Sequence, residues 1–324
     1  MTNELRMGAL CWNQYSDWPA MLAAGLRADE LGFYSLWTWD HLYPIVGSDE
    51  GPMFEGYLAL AAWAQATKHV KVGLMVGANP FRNPALVAKM ATTLDHISGG
   101  RAYLGIGSAW NETEAKHFGI AFGESPAERL RWLREALPVM RSMLHGEEPS
   151  AAGPRYHAES VRNEPAPLQK KMPLLIGGGG EQVTLRLVAR YGDANNISFA
   201  SGEETFLRKE AALRRHCEEV GRDHREIERT LNTGPVLIRD SSEEAIKVLQ
   251  ETYEHNGNAA TWSGRPASAQ PAGTPEHLID LLTPFVTAGY RHIVFGFPAP
   301  YDRETMERLV TDVQPKLAAI PAAW

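Results

Sequence analysis

The sequence predicts a single α/β domain, residues 1–324, folded as a (β/α)8 TIM barrel with insertions. Eight strand-like segments alternate with helical ones, and no composition break or linker divides the chain. The rival open sheet usually advertises a dinucleotide fingerprint, and none is complete here. Gly105-Ile106-Gly107-Ser108-Ala109-Trp110 begins that pattern and fails where Trp110 replaces the third glycine. Gly177 to Gly180 fails it too, with Gln182 at the required position, and no Gly-Lys-Ser/Thr of a P-loop occurs. The 324 residues exceed the roughly 250 typical of such barrels, so insertions are expected, around 146–172 and 239–273.

The elements follow in order. Arg6 to Cys11 reads as the first strand; Asp17, Trp18 and Pro19 open a helix that Gly32 closes. Phe33 to Trp37 is the second strand, and an Ala-rich helix follows from Tyr57 to Thr67. The third strand, Val70 to Val76, runs into Gly77, Asn79 and Pro80, a junction that ends it abruptly. A helix from Pro84 to about Leu94 and a strand from Arg101 to Gly107 come next. Ser125, Pro126 and Glu128 form a capping box for a helix carrying Leu130, Leu133, Leu137 and Met140, with a kink expected at Pro138. Gly146 to Met172 reads as a surface excursion.

Alternation then resumes. Strands are expected at Pro173–Ile176, Ala194–Phe199, Thr230–Ile238 and Arg291–Phe295, and helices at Gln182–Tyr191, Glu204–Val220, Glu243–Thr252 and from Thr274 to near Gly289. Asp302 caps a last helix with Met306, Leu309 and Val313. The Gly, Ser, Ala and Pro-rich stretch Asn256 to Gly273 reads as a mobile loop that closes over a ligand.

Composition excludes several function classes. Thirty-two Lys and Arg against 39 Asp and Glu give a net charge of -7 with no basic run, which argues against nucleic acid and anionic membranes as partners. Two cysteines, Cys11 and Cys217, make neither a disulfide framework nor a zinc site, so no metal is expected. No apolar run spans a bilayer or resembles a signal peptide, which places the chain in the cytoplasm.

In this fold chemistry sits where strands end and βα loops begin. There the sequence places Trp12-Asn13, Trp37-Thr38-Trp39-Asp40-His41, Gly77-Ala78-Asn79-Pro80, Gly107-Ser108-Ala109-Trp110-Asn111 and Gly177 to Gly180. Such aromatic and small residues suit a flat, apolar ring ligand. The four glycines either grip a phosphate through bare amides at a helix start or make a tight turn. Glu181, expected in the first helical turn, opposes the phosphate. His41 is either a proton carrier oriented by Asp40 or a packed polar residue, since neighbours on a strand point opposite ways. Asp95-His96, the same dipeptide at a helix end, reads as structural.

The chain resembles the luciferase-like monooxygenase superfamily, in its branch of coenzyme F420-dependent oxidoreductases of actinobacterial type. The stretches that carry the resemblance are Leu31 to Trp37, Asp40-His41, Arg82 to Leu86, Leu94 to Arg101, Gly105 to Glu114, Ile176 to Tyr191 with Asp193 and Asn196, Gly273 to Glu276, and Tyr301-Asp302. Together they cover the chain from about Arg6 to Pro315. The resemblance implies a barrel that binds F420, or alternatively FMN, and acts on a small-molecule substrate, often as a homodimer. It implies a non-prolyl cis peptide at Met75-Val76 forming a bulge behind the ring, with Gly107, Ser108, Ala109, Trp110 and Asn111 along the ring and ribityl tail. It further implies that Gly177, Gly178, Gly179 and Gly180 hold the phosphate, that Asp40 lies at the redox face, and that His41 exchanges a proton during hydride transfer. One departure stands out: where sugar-phosphate and alcohol dehydrogenases of the family carry an acid, this chain has Trp110, which implies a larger, apolar substrate.

Overall fold

The computed structural model describes residues 4–199, 202–257 and 270–321. Nine strand segments form one parallel sheet: β1 (Arg6–Cys11), β2 (Ser35–Thr38), β3 (Lys71–Leu74), β4 (Gly77–Ala78), β5 (Leu104–Gly107), β8 (Leu174–Gly177), β9 (Ala194–Ser198), β10 (Glu228–Pro235) and β13 (His292–Phe297). Their order is β3-β2-β1-β13-β10-β9-β8-β5-β4. Because β3 and β4 are two halves of one strand, the sheet curls into a barrel of eight strands among the described residues. A bridge between Val72 and Ala102 ties the two ends.

The expected third strand is therefore corrected: it breaks at Met75-Val76, whose peptide bond is cis. The break needs space on the adjoining strand β5 and on β8 beyond it, and glycines supply it. A Cβ on Gly105 would lie 2.0 Å from the Leu74 carbonyl oxygen, and one on Gly177 would lie 2.6 Å from a Val76 methyl.

Helices α1 (Trp18–Glu30), α2 (Gly56–Ala66), α3 (Pro84–Ser98), α5 (Pro126–Leu144), α6 (Thr184–Tyr191), α7 (Glu203–Glu219), α8 (Ser242–His255), α9 (Pro275–Thr287) and α10 (Arg303–Arg308) coat the barrel. The capping residues read from the sequence do their work. Asp17, Ser125, Thr274 and Asp302 each accept a bond from a first-turn amide. Gly32 takes φ +79° just past α1. Helix α5 continues through Pro138 to Leu144, so the proline does not end it. Beyond α5 the excursion forms a short antiparallel hairpin, β6 (Ala151–Ala152) with β7 (His157–Ala158), and it buries Tyr156 and Met172. The seventh barrel strand ends at Pro235; β11 (Leu237–Ile238) pairs instead with β12 (Ala272–Gly273) outside the barrel. Most of the expected loop, residues 258–269, lies outside the described residues.

Two apolar layers result. One, with Met7, Leu36, Leu60, Leu104, Leu137, Ile176 and Phe295, fills the space between strands and helices. The other, with Leu10, Trp37, Met75, Tyr103, Leu175 and Val294, fills the barrel interior. At the N-terminal ends of the strands a polar cluster closes the interior: His292 bridges Ser35 Oγ (2.7 Å) and Glu228 (2.9 Å), and Arg6 and Tyr103 also donate to Glu228. Burial pushes the Glu228 carboxyl up, but the hydrogen bond and charge of His292, with Arg6, win and hold it at about 2. That end is structural; the opposite mouth is left for chemistry.

Candidate active site

Asp40 and His41 follow β2 and turn apart, as adjacent residues on an extended backbone must. The expected dyad does not form: Asp40 does not orient His41. Asp40 Oδ2 accepts from the Ala78 amide and from Arg82 Nη1, both at 2.7 Å. Arg82 Nη2 reaches Glu55 at 2.8 Å, and its guanidinium lies 5.0 Å from the Tyr57 ring centre. Burial works against the Arg82 charge, yet the charge and hydrogen bond of Asp40 outweigh it and raise the guanidinium above its ordinary value. The other oxygen, Asp40 Oδ1, is buried without a protein partner among the described residues, as is Asn13 Oδ1 on the loop after β1. Orphaned buried acceptors are costly, and a ligand hydroxyl or ring N–H would satisfy them.

His41 is held instead by Glu114, a residue that sequence reading missed. Its Nδ1 lies 2.7 Å from Glu114 Oε1, while Glu114 Oε2 accepts from the Leu42 amide at 2.7 Å. Glu114 comes from α4 (Glu112–His117), a short helix that was not expected; Asn111 caps it by accepting from Thr113 N. The signal was present in Asn111 followed by Glu112 and Glu114 in a first turn. A carboxylate can only accept, so Nδ1 carries the proton and Nε2, which has no protein partner among the described residues, is left to exchange one. Glu114 stands four residues beyond Trp110 in the chain, and its carboxylate is directed at His41.

Glu114→Gln should reverse this arrangement, because the new amide presents a donor to Nδ1. Turnover should fall on the order of tenfold to a hundredfold, part of the usual worth of a general acid or base, with cofactor affinity nearly unchanged. Steady-state kinetics beside a cofactor titration check this. Equal turnover would remove the positioning role.

The loop after β5 covers the other side. Ala109 sits at φ +63°, and Arg129, stacked 4.3 Å over Phe122, reaches its carbonyl with Nε at 3.4 Å. Trp110 is exposed and stands edge-on to His41, ring centres 5.5 Å apart. Trp39 flanks His41 at 6.5 Å and packs on Trp12 at 4.6 Å.

The glycine run also differs in detail from expectation. Helix α6 starts at Thr184, not Gln182, so Glu181 to Val183 form an intervening turn. The Gly178 amide is already used, donating to the Asn196 carbonyl at 3.0 Å, and Gly178 O accepts from Asn195 Nδ2 at 3.0 Å. Gly178 takes φ +112°, a conformation that side chains resist. The amides of Gly179 and Gly180 have no protein partner among the described residues. Two positive groups that sequence reading did not place serve this loop. Lys209 of α7 donates to Gly179 O, and Arg208 pairs with Glu181 at 2.8 Å, which neutralises the carboxylate that opposed an anion. The loop is thus a cradle open to an anionic group.

Contacts link these parts across one floor. A Cβ on Gly77 would lie 3.7 Å from Asp40 Oδ2, and Val76 fills the space beside Gly107 and Gly177. Bulge, Asp40, His41 and glycine cradle therefore share one mouth. Asp95 and His96 lie elsewhere, buried Asp95 bonding Gln169 and His96 the Ala166 carbonyl, a structural pair as expected.

Comparison with known proteins fits this geometry. The sequence model for luciferase-like monooxygenases matches residues 8–290. The chain is 27% identical to an F420-dependent glucose-6-phosphate dehydrogenase of Amycolatopsis mediterranei (strain U-32), over 91% of this chain and 93% of the relative. Its fold superposes on an F420-dependent secondary alcohol dehydrogenase solved with an F420-acetone adduct (TM-score 0.82, 21% identity, 97% and 99% coverage). It also superposes on the coenzyme F420-dependent tetrahydromethanopterin reductase of Methanopyrus kandleri (TM-score 0.78, 20% identity, 97% and 99% coverage).

Proposed function

The chain belongs to the luciferase-like monooxygenase family, and from that premise we propose that it is a coenzyme F420-dependent oxidoreductase acting on a small organic substrate. One observation carries the reading: His41, locked by Glu114, follows β2 at the same end of the barrel as the break at Val76 and the glycine cradle. The names of its relatives support the choice of F420 over FMN.

The residues fit such a group. Gly179 and Gly180, with Lys209 behind them, would hold its phosphate; Asp40 Oδ1 and Asn13 Oδ1 would accept from its polar edge; Val76 and Gly107 to Asn111 would back its ring. When bound, the deazaflavin supplies or takes a hydride. The protein's part is to orient, to exclude water and to move one proton through His41 Nε2. The reading treats residues 1–324 as one functional unit, in the cytoplasm and paired with a second copy. Among the described residues no helix is long and apolar enough to cross a membrane.

Titrating the cofactor-free protein with F420 and with FMN, following quenching of each one's fluorescence, tests the proposal. F420 should bind at least about tenfold more tightly, a difference of roughly 1.4 kcal/mol. Tighter binding of FMN would overturn it in favour of a monooxygenase fed by a separate flavin reductase.

A further inference from the structure

Three arginines are at most 8% exposed among the described residues: Arg129, Arg229 and Arg239. A guanidinium does not shed its proton in a protein, so burying one is costly unless a carboxylate meets it. Two of the three obey that rule. Arg229 bonds Glu210 at 2.8 Å, and Arg239 bonds Asp302 at 2.6 Å. Arg129 forms no ion pair among the described residues. Its one side-chain hydrogen bond is the long Nε contact to Ala109 O, and its flat face lies on Phe122. Neither Nη has a partner among the described residues, yet neither is sealed from solvent.

Its place in the helix adds to the cost. Arg129 is the fourth residue of α5, a 19-residue helix whose first turn already presents the positive end of the peptide dipoles. Glu128, the acid beside it, is engaged by the Glu124 amide at 2.8 Å. Uncompensated positive charge therefore gathers against the loop after β5. The sheet register says what adjoins that loop: Ile106 pairs with Ile176, and a Cβ on Gly107 would lie 3.8 Å from Gly177 O. Ala109 and Gly179 each stand three residues beyond that pair, so the two loops leave adjoining strands side by side. A guanidinium anchored on Ala109 O is thus directed to the side of the barrel mouth that holds the open amides of Gly179 and Gly180. The other cations there are spent, Lys209 on Gly179 O and Arg208 on Glu181.

We infer that Arg129 is a specificity residue of the anion site: its Nη groups pair with the phosphate oxygens of the ring cofactor, and this charge-assisted contact makes the site select phosphorylated over phosphate-free forms. The inference rests on the proposed function for the anion being a cofactor phosphate. The unpaired guanidinium and its placement do not depend on it.

Fluorescence titration of the cofactor-free protein with two ligand pairs tests it: 8-hydroxy-5-deazariboflavin with its 5′-phosphate, and riboflavin with FMN. The members of each pair differ by the phosphate alone. Wild type should prefer the phosphorylated member at least about a hundredfold, and Arg129→Gln should cut that preference by about tenfold or more, the worth of a hydrogen bond to a charged group, with the phosphate-free member bound as before. Arg129→Lys, which keeps the charge but not the two-pronged geometry, should fall between the two. A wild type indifferent to the phosphate, or a preference unchanged in Arg129→Gln, would overturn the inference. Equal weakening of both members in Arg129→Gln would overturn it as well, because the side chain would then only support the loop. Binding of the flavin pair in place of the deazaflavin pair would strike the choice of F420 alone, since riboflavin against FMN still decides the role of Arg129.

Discussion

His41→Ala is expected to lower turnover by about 10²- to 10⁴-fold while F420 affinity changes little, the range that a lost general acid or base costs. The reason is positional. Glu114 takes Nδ1 and leaves Nε2 as the one ring nitrogen able to serve the reaction, so removing the ring removes the relay and leaves the cradle and the Val76 floor intact. Steady-state rates at saturating substrate, set beside a fluorescence titration of the cofactor, separate the two effects. His41→Gln, which keeps a polar group of similar reach but cannot carry the proton, should be nearly as slow. If turnover were equal to wild type, the site would be a binding site, and the chain a cofactor carrier without chemistry of its own.

Gly178→Asp is expected to weaken cofactor binding by at least about a hundredfold with the barrel intact. Two costs combine. Backbone at φ +112° is strained for any residue with a Cβ, roughly 1 to 3 kcal/mol, and the added carboxylate would sit beside the two amides left open for an anion. A Cβ there finds only Thr184 Cγ2, at 3.4 Å, so crowding is a minor part. Gly178→Ala carries the strain without the charge and should lose roughly tenfold, which makes the difference between the two variants a measure of the charge effect. Circular dichroism and thermal unfolding establish that the fold survives. Unchanged affinity in Gly178→Asp would remove the phosphate from this loop.

Much of the site was visible in the chain because its parts announce themselves locally. Glycine at Gly107 and Gly177 to Gly180, aromatics at Trp12, Trp39 and Trp110, and the dipeptide Asp40-His41 all lie at strand ends, where alternation alone places a mouth. The cis bond at Met75-Val76 was legible only through family resemblance; an apolar run gives no local sign that it stops at Leu74 and resumes at Gly77. What went unread were the partners. Glu114, Arg82 and Lys209 reach the site from 73, 42 and 30 positions away in the chain, and each looks alone like an ordinary charged residue.

The barrel, its capping residues and the end of the barrel that carries the chemistry were therefore determined by the sequence itself, since periodicity and capping are interactions within a few residues. Which acid holds His41, which amides stay open for an anion and where Asp40 spends its charge were decided only when the sheet closed. Closure sets strand against strand and helix against loop, and hydrogen bonds of under 3 Å depend on that distant packing rather than on neighbours in the chain.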